Sequence, residues 1–195
     1  MDFPNISRYA TVPTVKRIPL TEQLKIGQEF FRELRQRHPM ARIIFIEGNH
    51  EFRFRSYSIR LAPELYDYLN LARDLHLKEY RIEFVGTHEE AAKWKDTYID
   101  IEGMKIGHFD RVCKGSGSTV RNLMRDKGNV NIAQSHIHRG GIIYYTNIDD
   151  EVTWGMEVPC LAKSPTYSSV NDWQRGLGFI EKNDYGEWRP RVICF

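Results

Sequence analysis

The stretch RIIFIE, residues 42–47, is apolar at four consecutive positions and then breaks off at Gly48-Asn49-His50-Glu51. A strand exposed on one face alternates apolar and polar residues. A strand with no alternation is the kind covered on both faces in a layered α/β fold. Its polar end is informative for a second reason. Loops at the ends of such strands are where binding and catalytic groups are usually carried. Gly48 lets the chain turn out of the strand, and Asn49 and His50 then stand at its mouth.

The rest of the chain supports a layered fold. TEQLKIGQEFFRELRQRHP (residues 21–39) has Leu24, Ile26, Phe30, Phe31 and Leu34 near helical spacing, with Thr21 as cap and Pro39 as terminator. APELYDYLNLARDLHL (62–77) reads as a second helix with Pro63 in its first turn. YRIEFV, TYIDIE and MKIGHFD read as short strands. GSTVRNLMRDKG reads as a helix closed by Gly128, and NVNIAQSHI and GIIYYTN as strands around Arg139-Gly140-Gly141. VTWGMEVP, GFIEKN and WRPRVICF complete a strand-rich end. Helix and strand alternate early and strands dominate late, so the expected class is α/β (α+β), with sheet packed between helices. The 195 residues suffice for a proper core, and residues 1–195 are read as a single domain.

Composition excludes several classes. No apolar run approaches the ~20 residues needed to span a bilayer, and residues 1–17 contain no apolar segment of the secretory type. Cys113, Cys160 and Cys194 are scattered and form no CxxC pair, so neither a disulfide framework nor a cysteine zinc site is expected. A reducing, cytoplasmic setting fits this usage. A net charge of +2 does not mark a nucleic-acid binder by itself.

Histidine recurs where apolar strands end: His50 after IIFIEG, His108 in MKIGHFD, and His136 with His138 in AQSHIHRGG. Alternate residues of a short extended or turning segment can project to one side, so His136 and His138 can face one pocket. Neutral imidazole is the commonest metal ligand, and Asn adds a neutral oxygen. Mixed nitrogen and oxygen donors suit manganese, iron or zinc better than calcium. A bound cation of this kind lowers the pKa of water to about 7. Each residue alone has a plainer reading: a polar surface histidine, or an asparagine in a turn. His38, His76 and His88 take that plainer reading. Arg53, Arg55 and Arg60, interleaved with Phe52, Phe54 and Tyr57, could meet a phosphate-bearing substrate or could line a solvated helix face. Arg139, beside the HxH pair, is the other candidate for phosphate.

In combination and order, GNHE after a strand, GH after a strand and HxH after a third resemble the calcineurin-like metallophosphoesterases. The segments GSGSTVRNLMRDKG and WGMEVPCLAKSPTYSSVNDWQRGLGFI resemble phage and prophage members more narrowly. The resemblance implies a β sandwich flanked by helices that carries a two-metal site. It matches Asn49, His108 and His136 to the ligands of one metal and His138 to a ligand of the other. It matches His50 to the acid that protonates the leaving group, with metal-bound hydroxide as the nucleophile. Ser135 stands where the family has glycine. The cofactor implied is a divalent metal, manganese first, with zinc, iron or magnesium as alternatives.

The family's DxH motif has no counterpart here, and neither do the first residues of its GDxxD motif. Asp2 matches the last Asp of GDxxD, which orients the acid histidine. The chain is therefore expected to lack the first strand or strands of the sandwich and the bridging carboxylate. Its open sheet edge would then invite self-association. Three functions follow: a phosphoesterase acting on a phosphomonoester, a phosphodiester or DNA; an inactive homologue that binds nucleic acid or protein; or a structural zinc site built from His108, His136 and His138.

Overall fold

The computed structural model describes residues 18–87, 97–162 and 172–195. The chain divides into two compact units, Met1–Thr97 and Tyr98–Phe195. It is a mixed α/β structure with helices and a mixed sheet, as the apolar strands and periodic helices imply.

In the first unit, helix α1 (Leu20–Arg37) precedes strand β1 (Ile43–Ile46), which pairs in parallel with β2 (Ile82–Val85). Glu22 in the first turn of α1 and Arg35 and Arg37 in the last complement its dipole. The stripe that α1 buries is centred on Gln23, Gly27 and Phe31, with Leu20, Leu24 and Leu34 partly buried beside it. Ile26 and Phe30, expected on that stripe, lie outside it and are exposed. Thr21, expected as the cap, lies inside the helix, and Pro19 takes the cap position. Phe31 packs on Phe45, and Phe45 on Phe84, at centroid distances of 5.0 and 5.7 Å. That chain of rings ties the helix to both strands. β1 is half-buried along its length, because β2 is its one strand neighbour among the described residues.

The polar turn after β1 opens α2 (Phe52–Leu61), which buries Phe52, Phe54 and Ser58. The single helix expected over 62–77 forms instead as a 3-10 turn, Pro63–Tyr68, and a short α3, Leu71–Asp74. The break has a local cause. Leu69 is extended, and the Asn70 side chain accepts from Arg73 N at 2.9 Å, which starts a new helix at a residue suited to capping.

The second unit is a five-stranded mixed sheet in the order β3-β4-β5-β7-β6. The strands are β3 (Tyr98–Ile101), β4 (Met104–Gly107), β5 (Ile132–Gln134), β6 (Gly141–Thr146) and β7 (Val152–Glu157). β3 and β4 form a hairpin whose central residues, Glu102 and Gly103, both have positive φ, as a tight two-residue turn requires. Helix α4 (Ser118–Asp126) links β4 to β5, and these two strands run parallel. Alternation sorts the sheet's side chains. Val120, Leu123 and Met124 of α4 cover Ile132 on one face. Met104, Ala133, Trp154 and Met156 point to the other face. There the hairpin of β8 (Gly176–Lys182) and β9 (Trp188–Cys194) covers them with Ile180, Trp188 and Val192. Trp154 Nε1 donates to Trp188 O at 2.8 Å, so the indole is buried with its one donor satisfied.

Candidate metal centre

β4 and β5 are parallel neighbours that end at Gly107 and Gln134, and a histidine follows each end. Ser135 N donates to Gly107 O at 3.2 Å and His136 N to His108 O at 3.4 Å, so the backbone pairing outlasts the regular strands. This brings His108 Nε2 to within 2.9 Å of His136 Nδ1, with the rings edge to face at 4.8 Å. Both side chains are half-buried. Ser135 is not among the residues with positive φ, so the position where the resembled family has glycine does not demand one.

The backbone next to the pair is strained. Phe109, directly after His108, has φ 47°, a left-handed conformation that a bulky residue seldom adopts. Packing holds it there. Its ring is fully buried and stacked on Tyr98 at 5.5 Å and 16°, and Lys127 Nζ lies over both rings. His138 also has positive φ, 61°, and its N–H closes a turn onto Ser135 O at 3.0 Å. The turn spans the two histidines of HIH, which the sequence expects to face one pocket. His136 meets His108, while the His138 ring meets Trp173 edge to face at 4.2 Å. Residues held in sparsely populated conformations cluster at functional sites, and two of them flank this pair.

Two neutral imidazoles this close have two uses. One N–H can donate to the other ring's lone pair, or both lone pairs can point at one cation. Donors about 2.1 Å from a common ion lie about 3 Å apart at the right angles of an octahedral shell and about 3.4 Å apart at the tetrahedral angle. The observed 2.9 Å therefore fits one edge of a coordination shell. Among the described residues no group of three His, Cys, Asp or Glu side chains converges, so the pair supplies two donors.

Arg139 follows His138 and is buried. Its Nη2 donates to Cys113 O at 2.9 Å and to Thr119 Oγ1 at 3.0 Å, and its Nη1 donates to Asp172 at 3.1 Å. Its Nε lies 3.6 Å from the wholly buried carboxylate of Glu157, whose Oε2 also accepts from Gly117 N at 2.9 Å. Contact with a substrate phosphate would draw Arg139 away from these partners.

Asn49 and His50 belong to the first unit, on the turn after β1, and both are half-buried. Gly48 N donates to Glu51 Oε2 at 3.1 Å, and Gly48 O accepts from Phe52 N at 3.0 Å, which fixes this turn at the start of α2. Arg53 is half-buried in the first turn of α2. Asp2 lies outside the described residues. The polar residue that the sequence reading missed is Glu47. It is 4% exposed, its Oε2 accepts from Thr87 N at 2.6 Å, and burial pushes its carboxyl above the usual carboxylate range. A carboxylate closing an apolar strand was the available signal, and the same signal marks Glu157 at the end of β7.

No family model matches the chain, and no curated protein matches it. Among solved structures it is similar to Vps29 from Entamoeba histolytica. A double mutant of that protein matches with TM-score 0.40 and 18% identity over 94% of both chains. A single mutant matches with TM-score 0.39 and 19% identity over 94% of both chains. Wild-type Vps29 complexed with Zn2+ matches with TM-score 0.37 and 16% identity, over 84% of this chain and 88% of that one. No helix among the described residues is long and apolar enough to cross a membrane.

Proposed function

We propose that the chain is a divalent-metal-dependent phosphoesterase in which His108 and His136 hold the cation. The observation that carries this reading is the 2.9 Å approach of the two ring nitrogens at the ends of adjacent parallel strands. A bound divalent cation supplies positive charge to a phosphoryl oxygen and lowers the pKa of water. Manganese is the first choice, with zinc, iron or magnesium also compatible with imidazole and oxygen donors.

The chain's own groups take the remaining roles. His50 donates a proton to the leaving oxygen as general acid. The sequence resemblance assigns the orienting of that imidazole to Asp2, which lies outside the described residues. The same resemblance, and not the geometry, assigns a neutral oxygen donor to Asn49, a further imidazole to His138 and a guanidinium for the phosphate to Arg53. Arg139 holds Glu157 and the Cys113–Thr119 turn in place, and in this reading it also borders the phosphate. The substrate is a phosphate ester, with DNA among the candidates.

A second reading is a metal-binding module without turnover. It is favoured by the absence, among the described residues, of a carboxylate grouped with the two histidines. Hydrolysis of bis(4-nitrophenyl) phosphate by the full chain in Mn2+ separates the two. Turnover that is lost in both His50→Ala and His136→Ala supports the phosphoesterase. Mn2+ binding with no turnover supports the module, and no metal binding contradicts both.

A further inference from the structure

Helix α4 and strand β6 run the same way along β7. Both start at its Glu157 end: Gly117 N donates to Glu157 Oε2, and Gly141 is the register partner of Glu157. Gly117 also lies against β6, where a Cβ on it would stand 2.6 Å from Ile143 Cγ2. Residues 117, 121 and 125 repeat at i, i+4 and i+8, so they form one row along the helix, and that row begins on the β6 side. Arg121 lies about 6 Å along the helix from Gly117, and Tyr145 about 7 Å along β6 from Ile143. Arg121 therefore comes level with Tyr145. By alternation Tyr145 shares with Ile143 the face of the sheet that α4 covers.

This surface is basic and open to solvent. Residues 110–127 carry five basic side chains against two acidic ones, although the whole chain is only +2. Arg111 pairs with Asp126 at 2.6 Å, and Lys127 lies over Tyr98 and Phe109. Arg121 and Arg125 are exposed, and among the described residues neither has a carboxylate partner. The exposed arginines Arg32, Arg37 and Arg191 each have one. Arg125, in the last turn, complements the helix dipole; Arg121, in the middle, does not. Like charges at i, i+4 repel, so helix stability does not account for the pair. A polyanion does. Tyr145, 45% exposed, sets an aromatic ring beside the row. Basic side chains that follow a phosphate backbone, next to a ring on which a base can stack, are the means by which single strands are held. Asp149, Asp150 and Glu151 on the β6–β7 turn follow Tyr145, which keeps phosphates on the arginine side and leaves the ring to a base.

We propose that this surface binds single-stranded nucleic acid, with Arg121 and Arg125 on phosphates and Tyr145 stacked on a base. The surface is separate from the histidine pair, and binding there does not rest on the phosphoesterase reading.

The test uses the full chain in EDTA with a fluorescein-labelled oligothymidylate of about 15 nucleotides, followed by anisotropy from about 50 to about 200 mM salt. Arg121→Ala with Arg125→Ala should weaken binding at least about tenfold at the low salt and flatten the slope of log K against log salt by about 1.4, the share of two phosphates on a single strand. Tyr145→Ala should weaken binding about tenfold with the slope unchanged, and Tyr145→Phe should bind as the wild type does. A duplex of the same length should bind more weakly, since its bases are already stacked on one another. No binding by the wild type, an unchanged slope in the double arginine variant, or wild-type affinity in Tyr145→Ala would overturn the proposal. Phosphatidylserine vesicles that bind as tightly as the oligonucleotide and are lost with the arginines alone would assign the surface to a membrane instead.

Discussion

Arg139 Nε lies 3.6 Å from Glu157 Oε2, and neither side chain has appreciable contact with solvent. The pair closes the interior at the end of β7, with the Gly117 N–H and the Cys113 carbonyl as further partners. Removing one member of a buried pair leaves an uncompensated charge, which costs about 3–5 kcal/mol. Arg139→Ala is therefore expected to lower the unfolding free energy, read from urea unfolding, by that amount, with the urea midpoint falling accordingly. Arg139→Met with Glu157→Gln should lose less than Arg139→Ala alone. An unchanged midpoint in Arg139→Ala would show that the guanidinium serves a ligand rather than the fold.

Gly155 sits where α4 crosses β7. A Cβ there would meet Met124 Sδ at 2.7 Å and the two Val120 methyl carbons at 2.8 and 2.9 Å. Overpacking of this kind costs about 1–3 kcal/mol. Gly155→Ala should destabilise the chain within that range in chemical unfolding. Val120→Ala in the same chain should recover part of the loss by making room.

Burial raises the Glu47 carboxyl above its usual value, with Thr87 and Arg55 opposing the shift. A raised folded pKa gives stability that is fully present below the unfolded value and is lost as pH rises through the folded one. Glu47→Gln removes that titration. The stability of the variant relative to wild type should therefore increase between pH 4 and pH 8, measured by unfolding at a series of pH values. A difference that stays constant across the series would contradict the raised carboxyl.

Much of the fold was legible because burial and period coincide. In β7, Trp154 and Met156 face the β8–β9 hairpin while Gly155 faces α4, as strict alternation requires. The errors share a cause. Ile26 and Phe30 are apolar but lie beyond the edge of the stripe that α1 buries, and apolarity alone does not locate the stripe. The 62–77 helix broke at Leu69 because Asn70 caps more strongly than the run propagates. The histidines were legible as residues at strand ends. That His136 meets His108, that His138 meets Trp173 and that His138 is left-handed are features no spacing rule announces. Glu47 and Glu157 were missed because a buried carboxylate is recognised by its partners, and those are distant in sequence.

The central claim is that His108 and His136 bind one cation between them. Isothermal titration of the full chain with Mn2+ and with Zn2+ tests it without reference to any substrate. The account predicts one site in the wild type and a loss of affinity on the order of 100-fold in either His108→Ala or His136→Ala. His76→Ala, at a first-unit histidine paired with Glu79, should leave the affinity unchanged. Metal affinity that survives in His136→Ala would show that the 2.9 Å contact is a hydrogen bond between two side chains and nothing more.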